Sequence, residues 1–179
     1  MNTDESLRYP TGRFKRPTRV LEQSERRQMI DAIARTPSNL RAAVRGLSDD
    51  QLDTPYRAGG WTLRQVVHHV PDSHMNAFIR VKLGLTEDVP TIKPYDEAAW
   101  AKLADAKDTP VETSLTLLDA LHERWLTLLR AMAPADFERT LNHPDWDAPM
   151  SLDTVLALYA WHGPHHTAQI TGLRTRMGW

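Results

Sequence analysis

The sequence predicts an all-α protein: a four-helix bundle with long crossover loops and an extended N-terminal arm. Four long segments carry apolar residues at three- and four-residue steps, the mark of helices with one buried face. The stretches between them are rich in proline, glycine and aspartate, which turn the chain rather than continue a helix. A chain of 179 residues that is 41% apolar is long enough to close one core around those four stripes.

In chain order, residues 1–23 read as the arm, and residues 24–179 as a single bundle domain. The arm mixes Pro10, Gly12 and Pro17 with Arg8, Arg13, Lys15, Arg16 and Arg19, and shows no sustained helical period. It suits either a solvated tail or a strap that brings cations toward an anionic ligand. The first long helix is expected from Ser24, its cap, with Ile30, Ile33, Leu40 and Val44 inward and Pro37 as a kink. SDDQLDTPYRAGG is expected to be a loop. Thr62 then caps a helix from Leu63 to about Leu85, whose stripe runs through Val66, Val70, Ala77 and Val81. Between Thr86 and Thr109 a long connection contains one short helix starting near Asp96, and a connection of that length is often part of a site. Pro110 opens the third long helix, with Leu115, Leu118, His122, Trp125 and Leu129 on its stripe. MAPADFERTLNHPDWDAPM has too many turn residues for a helix and suits a short hairpin around HPDWD. Ser151 and Thr154 begin the last long helix.

That last helix carries the chemistry. His162 and His166 are four apart, one turn from each other on the buried side, whereas His165 lines up with Trp161, Gln169 and Arg176 on a flanking face. Imidazoles pointing into a core are costly as bare polar groups, and a shared metal ion would satisfy them. In the peptidase pattern H-E-x-x-H a glutamate follows the first histidine; Gly163 stands there, which argues against a zincin. Two rings leave a metal short of the usual three protein ligands. The second long helix offers His69, beside the polar line of Ser73, Asn76 and Arg80, and His74, on the apolar stripe. Periodicity does not choose between them. His122 is a further inward ring, suited better to packing or support than to direct ligation. Pro71 and Pro164 each lie two residues from a candidate ligand and suit local bends that aim the rings.

With 22 basic and 23 acidic residues, nothing points to nucleic acid or an anionic membrane. No apolar run approaches the roughly 20 residues of a membrane span, and MNTDESLRYP is too polar for the core of a signal peptide, so a cytoplasmic protein is expected. Without cysteine there is no thiolate ligand and no sulfur nucleophile of the chain's own. Imidazoles suit zinc, nickel, copper or iron.

TPYRAGGWTLRQVVHHVPDSHMN, TIKPYDEAAWAKL, NHPD and YAWHGPHHTAQITGLRTRMGW, together with the YPTGRF arm, resemble the YfiT branch of the DinB-like metal-binding four-helix bundles, described as metal-dependent hydrolases and as bacillithiol S-transferases. The resemblance selects His69, just before Val70, together with His162 and His166 as metal ligands. It also implies a homodimer and one divalent ion per subunit, zinc or nickel. Thr167-Ala168-Gln169 departs from the Arg-Gly-Gln of many members, outside the three rings. The leading expectation is a metal-dependent S-transferase that activates the thiol of bacillithiol for attack on an electrophile. Arg57 and Arg80 would hold its carboxylates, with Asn76 and Tyr95 as further candidates for substrate binding. The alternative is a hydrolase that activates water, with Asp72, His143 or Asp145 to move protons. A structural metal, or simple ligand binding, is the third reading.

Overall fold

The computed structural model describes residues 3–179, so the first two residues of the arm lie outside the described residues. Short elements flank four long helices: α1 Thr3–Arg8, α2 Gln23–Val44, α3 Asp49–Leu52, α4 Leu63–Thr86, α5 Glu97–Trp100, α6 Asp105–Asp108, α7 Val111–Ala131, a 3-10 turn Pro134–Glu138, strands β1 Thr140–Leu141 and β2 Met150–Ser151, and α8 Leu152–Met177. Both α2 and α4 pack against α7 and against α8. Consecutive α2 and α4 therefore stand at opposite corners of the bundle, as do α7 and α8. Diagonal neighbours need long connections, which is the structural reason for the stretches 45–62 and 132–151, whereas 87–110 joins the adjacent helices α4 and α7.

The helix starts follow capping chemistry. Thr62 accepts from the Gln65 backbone N–H while its own N–H donates to the Gln65 side chain, and Ser151 Oγ accepts from the Thr154 N–H. Ser24 is not the cap of α2. The helix begins one residue earlier, with Glu22 at the cap position and its N–H donating to Glu25. The loop after α2 contains the single turn α3, started by Ser48, and the connection from Thr86 to Thr109 holds two short helices rather than one. The expected hairpin is present as β1 and β2, paired antiparallel through Thr140↔Ser151 and Leu141↔Met150. The arm is not extended throughout, because residues 3–8 form α1. Nor is it a free tail. Trp161 Nε1 donates to the Gly12 carbonyl at 3.0 Å, Phe14 packs against Trp146 and Trp161, and the Leu21 N–H donates to Asp153. Asp153 in turn holds Arg26 at 2.7 and 2.8 Å, a buried two-pronged ion pair between α2 and α8.

The core is split in two along the bundle axis. One apolar cluster gathers Ile33, Ala77, Trp125, Leu156 and Tyr159, and the other Leu40, Val66, Val70, Leu118 and Ile170. Between them every long helix changes character at the same level: Pro37 on α2, His69 and His74 on α4, His122 on α7, and His162 and His166 on α8. Five buried imidazoles thus form a polar layer across the middle of an apolar interior.

Candidate metal centre

One ring nitrogen from each of His69, His162 and His166 lies within 4.8 Å of the other two, and the three side chains are buried. The closest approach is between His69 Nε2 and His162 Nε2, at 3.3 Å. Their partners on the far side set which nitrogen each ring presents. Gln169 Nε2 must donate to the Arg8 carbonyl (3.0 Å), so its Oε1 faces His166 Nδ1 at 2.8 Å. His166 therefore carries its proton on Nδ1 and leaves Nε2 bare. His162 Nδ1 is occupied by His74 at 3.1 Å, which leaves its Nε2 toward His69. Burial pushes all three rings toward the neutral form: His69 down to about 4, His162 and His166 well below the usual imidazole range, with neighbouring rings adding to the effect. Three neutral imidazoles crowded together, two of them with a bare Nε2 turned toward the third, are the donor set a divalent ion takes.

The rings open onto a cavity of about 360 Å³ whose wall includes Arg8, Tyr9, Tyr56, Arg57, Trp61, Glu97 and Trp161. Trp61 packs on His69 with ring centres 4.7 Å apart, and Trp161 stacks on His165 at 4.3 Å. His165 sits on the flank, as its helical position indicates. Its Nε2 faces Gln169 at 3.1 Å, and its ring lies against Tyr9 of the arm. Arg57 donates to the Tyr56 hydroxyl and the Ala58 carbonyl and reaches Asp4 at 3.3 Å. Glu97 is the carboxylate of the wall, and its pKa is raised by partial burial and by Asp96.

Of the candidate residues named from sequence, the structure brings His69, His162, His166 and Arg57 to this cavity. Asp72, His143, Asp145, Arg80, Asn76 and Tyr95 are not in its wall. Desolvation by burial, with Asp105 adding to it, raises the Asp72 carboxyl to about 6. His143 accepts from the Asp145 N–H, and the Asp145 side chain is largely exposed. The Tyr95 ring packs at a tilt against Trp100, and burial raises its pKa; Asn76 donates to the Asp72 carbonyl. His74 and His122 are outside the group of three, and His68 is spent on the far side of α4, between Ser114 at 2.7 Å and the Thr109 carbonyl at 3.0 Å. Arg8, Tyr9, Glu97 and Gln169 went unselected by sequence reasoning. Gln169 carried a signal through its four-residue step from His165, and Arg8 through its place among the cations of the arm.

Gly163, at the glutamate position of the peptidase pattern, has a separate reason to be glycine. A Cβ there would stand 2.2 Å from Thr36 Oγ1 and 2.6 Å from Thr36 Cγ2. The residue after His162 points at α2 rather than at the three rings, so a glutamate in that position could not act as a base here.

The family model of the DinB superfamily matches residues 32–170. The chain belongs to the DinB superfamily. It is 54% identical over 179 residues to a "putative metal-dependent hydrolase" of Geobacillus kaustophilus, with all of both chains covered. It is 48% identical over 177 residues to the "putative metal-dependent hydrolase" YfiT of Bacillus subtilis, covering 99% of each. The solved structure of Bacillus subtilis YfiT, described as a probable metal-dependent hydrolase with an unusual four-helix bundle topology, superposes with a TM-score of 0.94 over 97% of this chain and 99% of that one. Among the described residues, no helix is long and apolar enough to cross a membrane.

Proposed function

We propose that this chain is a metal-dependent enzyme in which His69, His162 and His166 hold a divalent ion, and that it joins a low-molecular-weight thiol of the bacillithiol type to electrophilic small molecules. The observation that carries the reading is the convergence of three neutral imidazoles at the wall of a small-molecule-sized cavity that also presents two guanidinium groups, Arg8 and Arg57. A divalent ion held by neutral ligands keeps most of its charge and lowers the pKa of a thiol or water that joins it. The chain's own residues supply the rest. Arg8 and Arg57 offer positive charge to the carboxylates of an anionic thiol, Arg57 from a guanidinium steadied by Tyr56 and Ala58. Trp61, Trp161 and Tyr9 close apolar surface around the rings and exclude water. Absence of cysteine leaves the co-substrate as the source of sulfur.

Hydrolysis is the second reading. It is favoured by the names the relatives carry and by Glu97, whose raised pKa suits a group that takes and returns a proton at the cavity wall. Incubating the zinc- or nickel-loaded protein with bacillithiol and a panel of electrophiles separates the two. Conjugate should form at a rate that His162→Ala abolishes. No rate above the uncatalysed one, together with turnover of esters or lactones in the absence of thiol, rejects the transferase in favour of the hydrolase. The resemblance further suggests a homodimer, which sedimentation of the purified protein tests.

A further inference from the structure

Behind His162 the polar layer continues as a line of rings that the three-ring centre does not use. His162 Nδ1 lies 3.1 Å from His74 Nε2, His74 Nδ1 lies 2.8 Å from His122 Nε2, and His122 Nδ1 lies 3.0 Å from the backbone carbonyl of Ile33. His74 and His122 are 0% and 2% exposed, so these contacts are their hydrogen-bonding outlets. A carbonyl oxygen only accepts. The far end of the line therefore has one permitted direction: His122 must place its proton on Nδ1, and with one proton per ring its Nε2 must accept. His74 then donates from Nδ1 and accepts at Nε2, His162 donates from Nδ1, and the lone pair of His162 Nε2 is left facing His69 and His166.

The Ile33 carbonyl is open to His122 for a reason written in the sequence. In α2 the partner of that carbonyl would be the N–H four residues on, and that residue is Pro37, which has none. The proline thus provides an acceptor at the one level of α2 where α7 brings an imidazole. Trp125 and Tyr159 wall the line edge-on to the His74 ring, which limits its rotation.

We infer that Pro37, His122 and His74 are positioning residues: they transmit the direction of a single backbone acceptor through two imidazoles and hold His162 in the tautomer whose Nε2 is bare. The inference rests on the reading of His69, His162 and His166 as metal ligands. It adds that His162 is prepared for ligation before any ion arrives. His166 is prepared independently, by Gln169 and the Arg8 carbonyl of the arm.

The direct test is nitrogen-15 NMR of the histidine rings in metal-free protein, which distinguishes protonated from bare ring nitrogens. The expected result is Nδ1–H with bare Nε2 for His122, His74 and His162; a proton on Nε2 of His162 overturns the inference. The second measurement is zinc affinity by chelator competition in the wild type, His122→Phe and His122→Gln. Losing the acceptor for His74 in His122→Phe should weaken zinc binding by about 10- to 100-fold. His122→Gln keeps a carbonyl acceptor on a chain of similar reach and should recover most of the loss, which a purely packing role would not produce. Unchanged affinity in His122→Phe overturns the relay while leaving the three-ligand reading intact. Failure of the wild type to bind zinc overturns both. Should His122→Phe not fold, the ring spectra of the wild type still decide.

Discussion

Gly163→Ala adds one methyl group at the closest approach of α2 and α8. That methyl carbon would lie 2.2, 2.6 and 3.0 Å from Oγ1, Cγ2 and Cβ of Thr36. Thr36 is 1% exposed and its hydroxyl donates to the Ala32 carbonyl, so rotating the side chain moves a branch rather than clearing the space. The helices must separate instead, and forced overpacking of a tight core costs about 1–3 kcal/mol. Helix propensity runs the other way, since alanine is favoured over glycine by about 1 kcal/mol in a helix interior. A net loss of up to about 2 kcal/mol remains, and for a domain of this size that lowers Tm by up to roughly 8 °C. Differential scanning calorimetry of metal-free protein measures it, and Thr36→Ala in the same chain should return part of the loss by removing two of the three clashes. If Gly163→Ala melts at or above the wild type, propensity has won and the described α2–α8 contact is wrong.

Acid should destabilise the metal-free protein. His69 and His122 are held down to about 4 by burial, whereas in the unfolded chain they titrate near 6.5, so between those values the unfolded state binds more protons. Their contribution is fully present above about 6.5 and is lost as pH falls toward 4, by up to ~1.4 kcal/mol per pH unit for each ring; urea unfolding at pH 7 and pH 5 giving equal stabilities would contradict it. Asp153→Ala strands the Arg26 charge between α2 and α8 and should cost about 3–5 kcal/mol, while an apolar pair at both positions should recover most of it in the same unfolding assay. Arg57→Ala should raise KM for an anionic thiol about ten-fold or more with little change in kcat, the loss of one charge-assisted contact; an unchanged KM would remove Arg57 from substrate binding. Asp72→Asn should leave turnover within two-fold, since Asp72 is outside the cavity wall, and a collapse of kcat would restore it as a proton carrier.

Helix positions were legible because periodicity and capping are local. Thr62, Pro110 and Ser151 each mark a start that the structure keeps, and the stripe from Val66 to Val81 is buried as its spacing requires. His162 and His166 were legible for the same reason, as two rings one turn apart. The third ring was not, because His69 and His74 are both buried and both reach His162. One faces the cavity and the other the core, a difference set by how α4 is turned against α8 and α7. The wall was illegible for a related reason: Arg8 and Tyr9 meet α8 across more than 150 residues, and no local pattern encodes that contact. Pro37 was visible as a kink, while the carbonyl it frees acquires meaning only beside His122.

The tie between the Arg8 carbonyl and Gln169 has a consequence for how the molecule is made. Segments 161 residues apart build this corner, and two of the three rings belong to α8, which is made after α4. A nascent chain halted before that helix displays His69 with neither of its companions. The three-ring group therefore comes together only once α8 has been made, and a chain stopped short of it has one ring of the three.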